Sequence, residues 1–465
     1  MDSWKLQLAV ALLAVAVVGV ISWLVPHPAV PVAIALAPIA AILAFRAPFL
    51  LCLLFILFTF FRLHEAFPVL NPLRIPQLLA LGSLIVLGAL VLTQRMRIAW
   101  SPELKLFAIL FALMTLGLPV ASGKDVAMSY WTDTYVKIAI MTFAIASLAR
   151  APGDFALAAR AFVLAGMLVA GVAISNAANE IGLVEGTRVT IGRDIGSVLG
   201  DPNDLSLVLL FPLSFAVALV LTPRTGALSR GFGAIGAVLI MMAILETQSR
   251  GGLLGIVAVL GVFAARRIKS KAVLFGGGAV GLLGLFVAAG VGGRQSGGAA
   301  EAGAIDESAM GRLEAWIAAW RMAVGRPLTG VGLNCYVPNF YFYSDWWEGF
   351  AKAVHSTWFA VLAEGGFPAF FVFVWMCVRV VRSAMASARD LAPEAMGADY
   401  QAAPYAMAQA VLAGMAGFAV SGTFLTQAFT WPVYILLALA AATSRYVLAQ
   451  AASAASTSPS VAARP

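Results

Sequence analysis

The sequence predicts an all-α fold, a polytopic transmembrane helical bundle of twelve to fourteen spans, and three observations predict it. Of 465 residues, 62% are hydrophobic and only 11% are charged, and the mean hydropathy is +0.93. Soluble domains carry roughly 45–50% apolar and about 25% charged residues, so a soluble globular enzyme is excluded. A membrane-crossing helix needs ~20 mostly apolar residues. Fourteen apolar segments satisfy or approach that length: 6–25, 30–45, 48–61, 76–92, 104–120, 131–149, 155–175, 203–222, 232–247, 251–265, 272–291, 357–381, 405–425 and 430–448. The third observation is the distribution of basic residues. With the N-terminus placed in the cytoplasm and each segment crossing once, 18 of the 30 Lys and Arg fall on the cytoplasmic side. The bias is densest in short loops such as Arg266-Arg-Ile-Lys-Ser-Lys271, where the positive-inside rule is most dependable. The net charge of +8 therefore reads as membrane topology before it reads as nucleic-acid binding.

Each element follows in order. The run at 6–25 looks like a secretory signal but is followed at once by further spans, so it reads as a retained helix. Segments 30–45 and 48–61 are short and are either two spans or one tight pair. Residues 1–175 form an N-terminal group of spans, and 176–291 a core group with a short arginine-bearing far-side loop. Residues 292–356 form a large far-side loop, and 357–448 the C-terminal spans. The Ala/Ser/Pro-rich end, 449–465, reads as a disordered cytoplasmic tail. Both termini thus face the cytoplasm. Within the large loop, 292–307 is rich in Gly, Ala and acidic residues. In Ser308–Gly325, Leu313, Trp316, Ile317, Trp320 and Val324 recur at helical spacing with Arg312 and Arg321 between them, predicting an amphipathic helix on the membrane surface. Cys52 and Cys377 lie in apolar runs and Cys335 in a loop, so no disulfide framework or thiolate metal site is indicated. No internal repeat of convincing period is present, which speaks against an inverted-repeat transporter.

Three far-side places carry polar residues that a membrane protein has little other reason to keep. One is Thr187–Gly196 running into Gly200-Asp-Pro-Asn-Asp204. Asp201 before Pro202 is a helix N-cap with proline at the first helical position. Arg188 and Arg193 stand ahead of that helix start, which favours anions. Another is Gln248-Ser-Arg250-Gly-Gly252, inside an otherwise apolar 231–265. An arginine there is expensive unless it faces water or an anion, and Gly251 and Gly252 let backbone N–H groups approach a ligand. A snorkelling arginine at a hairpin turn is the bland alternative. The third is His355-Ser-Thr-Trp, opening the twelfth segment, with Glu364-Gly-Gly366 further in. The other two histidines, His27 and His64, sit in turns. Arginines converging on one membrane face suit a diphosphate, whose oxygens match guanidinium forks. A nearby histidine can take a proton from an attacking hydroxyl at neutral pH. Group transfer from a lipid diphosphate is the chemistry these residue types suggest.

Ser249-Arg-Gly-Gly252, Arg326-Pro-Leu-Thr-Gly330-Val-Gly332, His355-Ser with Glu364-x-Gly366, and the arginine-bearing loop ending in Asp-Pro-Asn together resemble the O-antigen ligase/O-antigen polymerase superfamily, over roughly residues 185–425. The resemblance implies a bacterial inner-membrane glycosyltransferase of the C type, acting at the periplasmic face without metal or other cofactor. The donor it implies is a glycan on undecaprenyl diphosphate. In the ligase branch, which serves lipopolysaccharide biosynthesis, the acceptor is lipid A–core oligosaccharide and the anomeric centre inverts. Position by position, Arg193 and Arg250 would hold the diphosphate and His355 would activate or orient the acceptor hydroxyl. Arg188 lies near the motif without matching it. Asp201-Pro-Asn-Asp204 carries more carboxylates than the usual family loop, a departure associated with branches acting on exopolysaccharide.

The aromatics Tyr336, Phe340, Tyr341, Tyr343, Trp346 and Trp347 either stack on acceptor sugars or form an interfacial belt. The first sizeable far-side loop, Arg62–Arg74, offers only His64-Glu65 as potential metal ligands. Asp194, Asp201 and Asp204 could bind a divalent ion, but helix capping accounts for Asp201 more simply, so no metal is expected. Ligation, polymerisation of repeat units and protein O-glycosylation share one donor and remain open. A lipid-linked glycan transporter, selecting the same headgroup without bond chemistry, is the alternative of another class.

Overall fold

The computed structural model describes residues 45–67, 70, 74–290, 307–347, 349 and 351–457. The predicted segment 6–25, nearly all of 30–45, the stretch 292–306 and the last eight residues lie outside the described residues. Among the described residues the regular structure is helical, with one isolated bridge, Val184 to Arg188, outside the helices. The helices are α1 Pro48–Phe60, α2 Ile75–Leu92, α3 Pro102–Gly117, α4 Lys124–Tyr130, α5 Val136–Leu148, α6 Pro152–Ala178, α7 Pro202–Leu221, α8 Ala227–Glu246, α9 Arg250–Ala265, α10 Lys271–Ala288, α11 Glu307–Gly325, α12 Tyr336–Tyr343, α13 Thr357–Asp390, α14 Ala402–Ser421 and α15 Trp431–Thr457. Among the described residues nine helices are long and apolar enough to cross a membrane, and α1 and α9 are shorter apolar helices. A π turn at Trp131–Tyr135 joins α4 to α5. Each of the twelve predicted segments from 48–61 onward coincides with one helix, and the chain is a multi-pass membrane protein.

The helix ends obey local chemistry. Asp201 caps α7, accepting from the backbone N–H of Asn203 (2.7 Å) and Asp204 (3.2 Å), with Pro202 at the first position. Ser249 and Ser270 cap α9 and α10 in the same manner. α7 is the axis of the bundle, with 83% of its apolar window buried, whereas none of α10's is. In lipid the drive for this packing is close contact between helices rather than water exclusion, so small residues mark the interfaces. A Cβ at Gly255 would sit 2.2 Å from a Leu210 methyl, and one at Gly252 2.7 Å from the Ser206 side chain. Those two glycines let α9 lie directly on α7. Edge-to-face contacts among Phe60, Phe61, Phe162, Phe211 and Phe215 fill the space where α1, α6 and α7 meet.

The loops sort into two ends. At one end Ser122 meets Val331, Tyr130 meets Phe429, Arg188 meets Thr247 and Gln427 meets Asp204. At the other, Arg266 meets Ala388, Arg267 meets Leu221, Tyr400 meets Pro223, and Arg445 meets Ser147 and Ala149. The first set holds every candidate site residue.

α11 is a helix, as predicted, and most of the predicted apolar stripe lies on its outer face. Ala315, Ala318, Ala319 and Met322 are fully buried, while Leu313, Ile317, Trp320 and Val324 are 40–55% exposed. The small side chains dock α11 on the protein and the large apolar ones point away, the arrangement expected of a helix with lipid on its outer face. Trp316 lies between the two faces. It donates to the Val354 carbonyl (3.0 Å) and stacks on Phe359 at 5.4 Å, pinning α11 to the start of α13.

Candidate functional site

The site is assembled from the starts of α7, α9 and α13 and from the loop between α14 and α15. Asn203, in the first turn of α7, is its hub. Its Oδ1 accepts from Arg188 Nη2 and from Ser249 Oγ, each at 2.9 Å. Arg188 Nε also donates to the Thr247 carbonyl (3.1 Å), and its guanidinium lies 3.6 Å from the Glu185 carboxylate. At 4% exposure, Arg188 is a buried clamp that fixes the start of α9 against the start of α7. Arg250 follows the capping Ser249 as the first residue of α9 and is exposed. The α9 dipole adds to its charge at this point, about half an elementary charge at a helix N-terminus. Gly252 is needed for packing, as shown above. Gly251 faces Phe424, 3.7 Å from where a Cβ would stand.

His355 lies immediately before the α13 cap in a left-handed conformation (φ 43°). The strain is held by a zipper to the α14–α15 loop. The His355 N–H donates to Thr426 Oγ1 (3.1 Å), Thr357 Oγ1 donates to the Leu425 carbonyl (2.8 Å), and Trp358 Nε1 donates to Thr423 Oγ1 (3.0 Å). Left-handed backbone in a non-glycine residue costs of order 1–3 kcal/mol and clusters at functional positions. Burial pushes the imidazole pKa below its ordinary value; the Arg312 charge adds to this and Asp201 opposes it. His355 is therefore neutral, and a proton acceptor, at neutral pH.

Arg312 is the residue that sequence reasoning placed on a membrane-surface helix rather than in the site. Its guanidinium carbon stands 5.9 Å from the centroid of the Phe424 ring, whose edge faces Gly251. Phe424 thus has the start of α9 on one side and Arg312 on another, and Arg312 is close enough to His355 to depress its pKa. The signal was present in the chain as a lone cation on the otherwise apolar flank of α11.

The other predicted residues separate from this group. Arg193 is exposed in the turn before α7 and donates to the Gly200 carbonyl (3.2 Å). Its loop is tied by Ser197 to Glu65, which also pairs with Arg62 at 2.6 Å. Arg193 is thus tied back to the turn before α7, while Arg250 opens α9 and His355 stands just before the cap of α13. Tyr336 is 2% exposed, with its hydroxyl donating to the Ala315 carbonyl (2.8 Å) and its N–H to Glu364 (3.3 Å). It is part of the scaffold and does not present its ring to a sugar. Tyr341, Phe342, Trp346 and Trp347 are the exposed aromatics of this region.

The Gly-rich motifs are a joint. α13 breaks at Gly366 (φ 69°, ψ −173°), and the Arg326–Gly332 turn fits the break. Val331 and Gly332 donate to the Ala363 and Glu364 carbonyls (2.8 and 3.1 Å), and Phe367 donates to Pro327 (2.9 Å). A Cβ on Gly330 would lie 2.4 Å from the Ala363 oxygen, and one on Gly366 2.6 Å from the Pro327 oxygen. Glu364 accepts from the N–H groups of Asn334 and Tyr336, closing the turn. The extra carboxylates of the Asp-Pro-Asn-Asp sequence are likewise structural: Asp201 caps α7 and Asp204 accepts from Gln427 Nε2 at 2.7 Å.

Across Gln427 lies a cavity of 380 Å³ whose walls include Arg62, His64, Asp133, Lys137 and Trp431. Burial lowers the His64 pKa, partly offset by Glu65. Among the described residues no group of three His, Cys, Asp or Glu side chains is disposed to hold a metal ion.

Fold and site together define a polytopic helical membrane protein with a polar, arginine-bearing region at one end of its bundle. Residues 235–374 match the family model described as O-Antigen ligase, which supports the O-antigen ligase superfamily for this chain. The matched stretch runs from α8 to the middle of α13 and so contains Arg250, Arg312, His355 and the Gly330–Gly366 joint. No curated protein matches the chain.

Proposed function

We propose that the chain is an inverting, metal-independent glycosyltransferase. It would move a glycan from undecaprenyl diphosphate to an acceptor hydroxyl at the periplasmic face of the inner membrane, with lipid A–core as acceptor and both termini cytoplasmic. The observation that carries this reading is the meeting at Phe424 of the α9 start, which bears Arg250, with Arg312, whose charge reaches a His355 of lowered pKa. Cations fixed in place before reaction stabilise charge as it develops on a leaving diphosphate. A neutral imidazole beside them accepts the hydroxyl proton. The acceptor oxygen forms a bond to the anomeric carbon, and the bond from that carbon to the diphosphate oxygen breaks. The electron pair leaves with the diphosphate and the hydroxyl proton passes to His355. Arg188 holds the starts of α7 and α9 in register rather than touching substrate. Arg193 meets the donor from the flank of the Glu65 corner, where the cavity beside Gln427 offers space for a second substrate arm.

The test is purified protein incubated with lipid-linked glycan and lipid A–core. Formation of a new glycosidic bond, lost in Arg250→Ala, Arg312→Ala and His355→Ala variants that elute and melt like the parent, supports transfer. Movement of the lipid-linked glycan across vesicles with no new bond would instead establish the transporter. Polymerisation shares donor and chemistry, and a lengthened lipid-linked product in place of capped core identifies it. The carboxylates of Asp201 and Asp204 no longer favour that branch, since both have structural partners.

A further inference from the structure

The opposite end of the bundle carries a second concentration of positive charge that glycosyl transfer does not use. A cavity of 600 Å³ there is lined by Arg95, Arg97, Arg150 and Arg445 together with Trp100 and Tyr446. These arginines come from three separate stretches, the α2–α3 loop, the α5–α6 loop and the interior of α15. Among the described residues no carboxylate lines the cavity. Asp154, four residues beyond Arg150, spends its carboxylate on the N–H groups of Arg150 and Ala151 at 2.9 and 2.8 Å, and Glu103, three beyond Trp100, is buried and accepts from Ser383.

Helix capping accounts for part of the cluster. Arg445 donates to the Ser147 and Ala149 carbonyls (3.1 and 2.8 Å), and Arg150 Nε to the Ser147 carbonyl (2.7 Å), at the end of α5. A helix C-terminus contributes about half a negative charge, far less than four guanidinium groups, each with five N–H donors. No hydrogen bond or ion pair among the described residues engages Arg95 or Arg97. A preference for basic residues in loops explains their sign, but not why the loops bring them to Arg445, which lies within a helix.

The surroundings define the ligand. α2 ends at Leu92 and α5 at Leu148, so the cavity stands where helices leave the hydrocarbon. Trp100, 60% exposed, packs edge-on against Phe143 at 5.4 Å, and Leu92 and Leu448 expose 84% and 67% of their surface beside it. Cations above an exposed apolar margin fit a lipid headgroup with its acyl chains, and basic pockets between membrane helices bind acidic headgroups. Four guanidinium forks match two phosphates better than one.

We propose that this cavity binds the headgroup of a diphosphatidyl phospholipid from the leaflet opposite the candidate site. Soluble diphosphate shares the anionic chemistry, and the experiment separates the two. The full-length protein, purified in a neutral detergent, is titrated with diphosphatidylglycerol, phosphatidylglycerol, phosphatidylethanolamine or inorganic diphosphate, and bound molecules are counted by native mass spectrometry. The expected result is at least tenfold preference for diphosphatidylglycerol over phosphatidylethanolamine. Binding should fall at least fivefold in the exposed pair R95Q/R97Q and be unchanged in R382Q, a control charge at the same end on α13. Equal binding by R95Q/R97Q and parent, an equal loss in R382Q, or inorganic diphosphate binding as well as the lipid would each overturn the proposal.

Discussion

Replacing Asn203 by alanine tests whether the site is held by its hub. The substitution removes the acceptor shared by Arg188 Nη2 and Ser249 Oγ, both at 2.9 Å, and leaves the caps of α7 and α9 and the Arg188–Thr247 bond in place. A hydrogen bond to a charged group is worth ~1.5–3 kcal/mol and a neutral one ~0.5–1.5 kcal/mol. The two together give about 2–4.5 kcal/mol, with a guanidinium at 4% exposure left one partner short. Part of that loss appears as a lower thermal midpoint. The remainder appears as misplacement of Arg250, because Ser249, which caps its helix, is no longer tied to α7. Transfer assays on Asn203→Ala should show kcat reduced about tenfold with KM changed less, since the start of α9 is displaced without removal of a charge. Asn203→Asp, which keeps an acceptor at the same place, should recover most of both. A parental midpoint and parental kcat in Asn203→Ala would refute the reasoning, and Arg188 would then return to being a substrate contact.

The remaining predictions concern the reacting groups and the joint beneath them. Arg250→Ala should lower kcat by ~10²–10³, the usual effect of deleting one preorganised donor, and Arg250→Lys should fall between it and the parent because the charge remains and the fork is lost. Activity should decline on the acid side as His355 becomes protonated. That limb lies below the ordinary histidine range because burial and Arg312 lower the imidazole pKa. Arg312→Gln removes the neighbouring charge, so the pKa rises and the acid limb moves to higher pH; a pH–rate profile reads the shift. Gly366→Ala places a Cβ 2.6 Å from the Pro327 oxygen at φ 69°, with backbone on both sides. The yield of folded protein from the membrane fraction should fall sharply, whereas Gly261→Ala, which meets nothing, should not change it.

How much of this was legible in the sequence depends on the distance over which each residue acts. The spans were legible because apolar length alone decides them. The α7 start was legible because Asp201 and Pro202 are a local signal, and the structure returns both the cap and the proline where expected. Arg250 was legible because an arginine amid apolar chain has few tolerable environments. Arg312 was read as part of a surface stripe because the ring beneath it, Phe424, is over a hundred residues away. The outer face of α11 was legible because its large apolar residues recur at helical spacing, whereas its docking face was not, because membrane helices pack on small residues and Ala315, Ala318 and Ala319 are the buried set. Tyr336 looked like an exposed loop aromatic because nothing local shows that Glu364 and Ala315 enclose it.

The same distinction separates the scaffold from the chemistry in the matched region. Most of its recognisable residues are spent on backbone. Gly330, Gly366 and Glu364 make a broken helix and a turn interlock, Gly252 and Gly255 let α9 lie on α7, and Ser249, Asp201 and Ser356 cap helices. Those devices converge on one outcome, three helix starts brought to the same end of the bundle. Arg250 follows one cap directly and His355 precedes another, so the caps that terminate the helices also set where the charged groups stand. A chain that kept these caps and joints while losing Arg250, Arg312 and His355 would still fold as this one does, and by the argument above it would not transfer a sugar.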